Sequence, residues 1–229
     1  MEKKLLRDGD ATFEVTAFES ERPTRLVLFA VGGGGDPGRH EPLLAALAAR
    51  GFSVVAPHFE RMTSPHPSEA MLIARSRRLQ LALDFAAGSG APVVGVGHSI
   101  GAAVLLALAG AQLWLGPARP LDVQVDERLT KLALLAPATG FFRAPDALRA
   151  VRIPLVVWAG SADTVTPPDE ALLLRDAVSP QALADVHVVE GADHFSFMHA
   201  PPPGRTDARF PRDAFLEALT ELIGNAVGS

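Results

Sequence analysis

Apolar and polar positions along the chain fall into two alternating rhythms. Short runs rich in Val, Leu and Phe recur at 12–18, 25–31, 53–59, 92–98, 132–137, 154–160 and 185–191. Turn-forming residues bound them, and their length and β-branched content predict strands. Longer stretches with apolar residues three and four apart lie between most of them, at 40–50, 68–87, 99–112, 168–178 and 212–226. That spacing predicts helices. The alternation predicts an α/β fold, with a mostly parallel, doubly wound sheet and helices on both faces. The run 12–18 reaches the next strand through a short polar segment, so it is expected to be antiparallel and at an edge.

Composition narrows this picture. A chain of 229 residues, 48% of them hydrophobic, can bury a three-layer core, and residues 1–229 are expected to form one domain. The proline-rich pieces 63–68 and 200–205 read as loops, and the stretch between the runs 132–137 and 154–160 is too short for an inserted cap domain. The segment 100–118 is nearly as apolar as a membrane span, but Gln112 and Pro117 interrupt it. A buried helix of an α/β protein reads the same way, and no membrane span is expected. The net charge of −5 argues against a nucleic-acid partner, and Arg75, Arg77 and Arg78 read as the solvated face of a helix. The absence of cysteine excludes disulfides, thiolate metal sites and a cysteine nucleophile. It also fits a reducing compartment. The first fifteen residues hold no apolar stretch of signal-peptide length, so a cytoplasmic location is expected.

The candidate chemistry begins at Gly97-His98-Ser99-Ile100-Gly101, which lies between a predicted strand and a predicted helix. G-x-S-x-G in that context marks a nucleophilic serine on a tight, strained turn. Larger side chains at 97 and 101 would collide with the neighbouring strand and helix. The N–H of Ile100, at the helix N-terminus, can face a developing oxyanion. His98 adjoins the serine, points the wrong way to act as its base, and reads as a structural side chain.

A serine hydroxyl needs a base that is itself oriented by an acid. In doubly wound hydrolases the acid and then the histidine follow the serine in the chain. Asp163 follows the run 154–160, and His194 follows the run 185–191. Each leaves the carboxyl end of a strand, where sites in open parallel sheets gather. Asp169 and Glu170 fit a helix first turn better, and Asp193 adjoins His194 and would point elsewhere. His187 lies within a strand, His199 adjoins a proline-rich turn, and His58 and His66 precede the serine.

These stretches, Gly97–Gly101, Gly160-Ser161-Ala162-Asp163 with Pro167, and Gly191-Ala192-Asp193-His194, resemble the α/β-hydrolase family from about Arg25 to the final helix. The chain is most similar to small, nearly capless members of the dienelactone-hydrolase-like and serine-esterase type. Dienelactone hydrolases use a cysteine nucleophile, which this chain lacks. The resemblance implies Ser99 as nucleophile, His194 as base, Asp163 as its orienting acid, and hydrolysis of an ester, thioester or lactone without metal or organic cofactor. It also implies a second oxyanion donor after the run 25–31. His-Gly-x-x-Gly is frequent there; here Val31 precedes Gly32-Gly33-Gly34-Gly35, which assigns the role to the N–H of Gly33, with Gly34 as its neighbour. Phe59, Met62, Phe141, Phe142 and Phe195 are expected to line an apolar pocket for a small-molecule ester. Without a cap, the pocket should be open or covered by a partner subunit, most simply in a homodimer.

Two other readings stand beside this one. A fold does not fix function, so an inactive binding protein of the same fold remains. Gly33, Gly35 and Gly38 also match G-x-G-x-x-G, with Glu60 as a ribose-binding acid, which suits a dinucleotide site. Pro37 removes one N–H that a phosphate would use.

Overall fold

The strand β3 (Leu26–Ala30) is buried at every position, and its alternate side chains serve opposite layers. Leu26, Leu28 and Ala30 pack into one apolar cluster, Val27 and Phe29 into the other. This is the pattern of a sheet covered on both sides. In the computed structural model, residues 1–64, 66–178, 181–205 and 209–229 are described. Of the proline-rich loop 63–68, Pro65 lies outside them.

In chain order the elements are β1 (Glu2–Asp8), β2 (Ala11–Phe18), β3, α1 (Glu41–Ala49), β4 (Ser53–Pro57), α2 (Glu69–Ala86), β5 (Val93–His98), α3 (Ile100–Leu108), β6 (Leu113–Trp114), β7 (Pro120–Leu121), β8 (Leu129–Leu135), β9 (Leu155–Gly160), α4 (Pro168–Val178), β10 (Ala184–Val189) and α5 (Arg212–Gly228). Eight strands form one sheet in the order β1-β2-β4-β3-β5-β8-β9-β10. It is parallel from β4 to β10. Helices α2, α3 and α4 contribute to the first cluster, α1 and α5 to the second. Between β8 and β9 the regular structure is a 3-10 turn, Thr139–Phe142, so no inserted domain covers the carboxyl edge there.

Two expectations need correction. The run 12–18 is antiparallel as expected, but β2 pairs with β4 rather than β3, and β1 pairs outside it, so β2 is an inner strand. The segment 99–112 does not stay helical. Helix α3 ends at Leu108, Gly110 follows at φ 106°, and the chain turns into β6. A positive φ at a glycine just past a helix is a common stop. All nine residues of α3 are buried, which accounts for its apolar composition. No described helix is long and apolar enough to cross a membrane.

Helix α3 approaches the end of β3 closely. A Cβ at Gly101 would overlap the Ala30 carbonyl, and one at Gly97 would stand 2.9 Å from the Ala102 backbone nitrogen. Because backbone on both sides cannot retreat, Gly101→Ala is expected to cost about 3 kcal/mol or more. Gly88→Ala, where nothing lies within 4 Å, should stay within about 0.5 kcal/mol. Urea unfolding of both variants checks this, and equal midpoints would contradict the close approach.

Candidate active site

Ser99 sits between β5 and α3 at φ 57°, ψ −124°. This is costly backbone for a residue with a Cβ. It is held by hydrogen bonds on either side. The Ser99 N–H donates to the Leu135 carbonyl at 2.9 Å, and the Ser99 carbonyl accepts from Ala138 at 3.2 Å. The turn thus ties β5 to the end of β8 and turns the serine side chain out at the carboxyl edge of the sheet.

Two loops meet it there. The loop after β9 supplies Asp163, and the loop after β10 supplies His194, whose Nε2 lies 3.0 Å from Ser99 Oγ. His194 Nδ1 lies 2.9 Å from Asp163 Oδ2. With Nδ1–H donating to the carboxylate, Nε2 is free to accept from the serine hydroxyl. Asp163 and His194 are 3% and 5% exposed, so this line is shielded from water.

Asp163 sits in a polar cradle. Its Oδ1 accepts from the N–H groups of Val165 and Thr166, both at 2.8 Å. Thr166 Oγ1 lies 2.8 Å from Asp163 Oδ2, 3.0 Å from His194 Nδ1 and 3.1 Å from the Ala136 carbonyl. Burial alone would raise the Asp163 pKa. Hydrogen bonding and charge from His194, with the Thr166 bonds, more than offset it and hold the carboxyl below the usual carboxylate range. Sequence reasoning missed Thr166, although a threonine three residues after the acid is well placed to close such a turn.

Behind His194 lies a row of imidazoles. Ring centroids are 4.9 Å apart for His98 and His194, 5.2 Å for His40 and His98, and 5.0 Å for Phe29 and His40. His98 Nε2–H donates to the His194 carbonyl at 3.1 Å, consistent with the structural role read for it. Neither nitrogen of His40 has a partner among the described residues. Burial, with smaller effects of His199 and Arg39, pushes the His40 pKa down to about 3. Burial, then His194 and His40, takes His98 well below the ordinary value.

The loop after β3 closes the other side. Gly35, at φ 79°, presses against the Phe59 carbonyl where a Cβ would overlap it. The carbonyls of this loop are engaged. Gly33 accepts from Met62 N–H at 2.7 Å, Gly35 from Phe59 N–H at 2.8 Å, and Gly32 from Gly35 N–H at 3.1 Å. The N–H groups of Gly32, Gly33 and Gly34, and that of Ile100, have no acceptor among the described residues. Gly38 N–H is taken by the Asp36 carboxylate at 2.8 Å. An acid therefore occupies the position where the dinucleotide reading needs a phosphate.

Gly33, Gly34, Ser99, His194, Met62 and Phe195 share one cavity of about 490 Å³. Phe59, Phe141 and Phe142 do not line it. Phe59 lies under the Arg75 guanidinium, 4.5 Å from ring centroid to Cζ, and Phe142 is core. Phe141 borders a separate hollow with Trp114. Arg39, Arg61 and Arg205 also line the cavity, no acidic side chain among the described residues does, and none of the three arginines has an ion-pair partner among them. No group of three His, Asp or Glu suited to a metal ion occurs among the described residues.

No protein-family model matches the sequence, and a search of curated proteins finds no match. Solved structures do match over nearly full length. Esterase 2 of Thermogutta terrifontis, phosphoramylated by tabun, is 20% identical with a TM-score of 0.68, covering 99% of this chain and 95% of that one. An alpha-beta serine hydrolase homologue from Coxiella burnetii is 18% identical with a TM-score of 0.68, covering 99% and 97%. A protein of unknown function from Agrobacterium tumefaciens is 15% identical with a TM-score of 0.70, covering 98% and 96%. The chain has the α/β-hydrolase fold.

The imidazole row generates a prediction for stability. In the unfolded chain His40 and His98 take up protons near pH ~6.5. In the fold they stay neutral far below that. Their contribution is therefore fully present above pH ~6.5 and is lost as pH falls toward the folded values, at up to ~1.4 kcal/mol per pH unit per group. Urea unfolding between pH 7 and 4 should show this slope, and His40→Leu should flatten it. An unchanged slope would mean that His40 protonates inside the fold.

Proposed function

We propose that the protein is a serine hydrolase that cleaves an ester, thioester or lactone bond through an acyl-enzyme. The observation that carries this reading is the line Ser99 Oγ–His194 Nε2–Nδ1–Asp163 Oδ2, with bonds of 3.0 and 2.9 Å, on a strained strand-to-helix turn. As Ser99 Oγ attacks the acyl carbon, its proton passes to His194 Nε2. The same proton goes to the departing alkoxide, and water repeats the sequence on the acyl-enzyme. Asp163 keeps Nδ1 protonated and stabilises the imidazolium. The N–H groups of Ile100 and Gly33, with Gly34 adjacent, receive the oxyanion. Lack of a cysteine favours the serine-esterase type over the dienelactone type, and residues 1–229 act as one domain in this reading.

Met62 and Phe195 give the cavity apolar wall for an acyl or alkyl group. The three arginines that line it, unopposed by acids among the described residues, favour esters that also carry a negative charge. Thermogutta terrifontis esterase 2 is described in complexes with paraoxon-derived phosphoryl and with propionate, which recommends organophosphorus probes and short acyl groups here.

Hydrolysis of p-nitrophenyl esters from acetate to octanoate tests the reading. Ser99→Ala is expected to lower kcat by roughly 10⁴- to 10⁶-fold, and a fluorophosphonate should label wild type once, at Ser99. No turnover and no labelling would leave the binding-protein reading instead. Among acyl groups of similar length, the p-nitrophenyl hemisuccinate should have a kcat/KM above that of the butyrate at low salt. That advantage should shrink as salt rises and in Arg61→Ala. Equal values at all salt concentrations would remove the preference for anionic esters.

A further inference from the structure

Helix α2 carries a buried cation that the proposed chemistry does not use. Arg75 is 2% exposed, yet no carboxylate pairs with it among the described residues. Its guanidinium reaches the glycine loop. Nη1 donates to the Val31 carbonyl at 3.0 Å, and Nη1 and Nη2 each lie 3.4 Å from the Gly32 carbonyl. The Phe59 ring packs against its face. Burial pushes its pKa down, with Glu60 opposing, to about 10, so it is charged at neutral pH. A buried cation without a carboxylate is costly, and the contacts named here are carbonyl dipoles and one ring.

The peptide geometry gives those dipoles a meaning. No cis peptide occurs among the described residues. In a trans peptide the N–H points opposite the C=O of the preceding residue. Holding the Val31 carbonyl therefore turns the Gly32 N–H away from Arg75, and holding the Gly32 carbonyl does the same for Gly33. Gly32 and Gly33 line the cavity; Arg75 does not. Four consecutive glycines leave this loop free to take other peptide orientations. Within it the Gly35 N–H donates to the Gly32 carbonyl at 3.1 Å, while the Val31 carbonyl is held from outside, by Arg75. A planar fork with donors for two successive carbonyls suits that task better than an ammonium group.

We infer that Arg75 is a positioning residue for the oxyanion-binding loop. It fixes the Val31–Gly32 and Gly32–Gly33 peptides with their N–H groups toward Ser99, and its unpaired charge sits behind them. The negative charge it lacks at rest is the one that develops on the substrate oxygen. This rests on the hydrolase reading, and it goes beyond it by assigning a role to a residue that touches neither substrate nor Ser99.

The test compares wild type, Arg75→Met and Arg75→Lys with p-nitrophenyl butyrate and a trifluoromethyl ketone, which forms an oxyanion on Ser99. For Arg75→Met, kcat should fall ~100-fold, ketone affinity should weaken by a similar factor, and KM should stay within about twofold. Arg75→Lys, with its charge but no fork, should lie between. A folded Arg75→Met with wild-type kcat and ketone affinity, or a loss confined to KM, would overturn the inference. If Arg75→Met does not fold, Arg75→Lys decides, with lowered kcat and ketone affinity supporting the inference and wild-type values for both overturning it. If wild type shows neither turnover nor fluorophosphonate labelling, the hydrolase reading itself fails. A crystal structure of the folded variant then decides the loop assignment, which fails if the Gly32–Gly33 peptide keeps its orientation.

Discussion

The arrangement depends on one close approach, that of the first turn of α3 to the end of β3. Only a residue without a side chain at 101 lets the helix backbone reach the Ala30 carbonyl. That approach forces the turn at Ser99 into positive φ, a cost of order 1–3 kcal/mol. The cost is offset by burying every residue of the helix that follows. Two further consequences come from the same contact. The N–H of Ile100 starts the helix beside the serine. The loop leaving β3 begins against the elbow too, since a Cβ at Gly32 would stand 3.3 Å from Ser99 Cβ. Ser99 and the glycine loop are thus neighbours because two backbones touch.

Around that contact the protonation states are divided by environment. On one side a carboxylate is buried but surrounded by donors, so it remains ionised. On the other, imidazoles are buried among rings with few partners, so they remain neutral. His194 stands where the two meet, with its ring edge toward Asp163 and its face toward His98. A charge forming on His194 would be stabilised from the acid side, while the neutral row behind it adds bulk and one bond to its carbonyl without competing for the proton.

The parts that were legible in the sequence are those whose cause is local. The period of apolar residues located the inner strands and the five helices. Gly97, Ser99 and Gly101 were readable because strand, turn and helix are contiguous, and Asp163 and His194 because each follows a strand. β1 was missed because an edge strand with charges on both faces lacks a clean alternation; its trace was the short turn Gly9–Asp10 between Asp8 and Ala11. The aromatics were misassigned for a different reason. Position after a strand does not say whether a ring turns to the cavity or the core, and Phe142 turned to the core. Arg75 was read as solvated because it belongs to a basic cluster. Its spacing from Leu72, Leu79 and Leu83 places it on the buried face of α2. That signal was present, but what it meets lies 44 residues away at Val31.

The four glycines show the limit of motif reading most clearly. Their spacing satisfies a dinucleotide fingerprint and an oxyanion loop equally, because both need backbone without side chains. What separates the two is where the loop carbonyls are held, and apart from the Gly35 N–H on the Gly32 carbonyl the groups that hold them come from outside the loop. Arg75 holds those of Val31 and Gly32, and Met62 and Phe59 hold those of Gly33 and Gly35. With those carbonyls engaged, the N–H groups of Gly32, Gly33 and Gly34 are left without acceptors on the cavity wall. The one N–H farther along that a phosphate would want, at Gly38, is capped by the carboxylate of Asp36. An anion the size of a pyrophosphate would meet that carboxylate. The loop's chemistry is therefore set by its surroundings, and a glycine motif carries functional meaning only once the partners of its carbonyls are known.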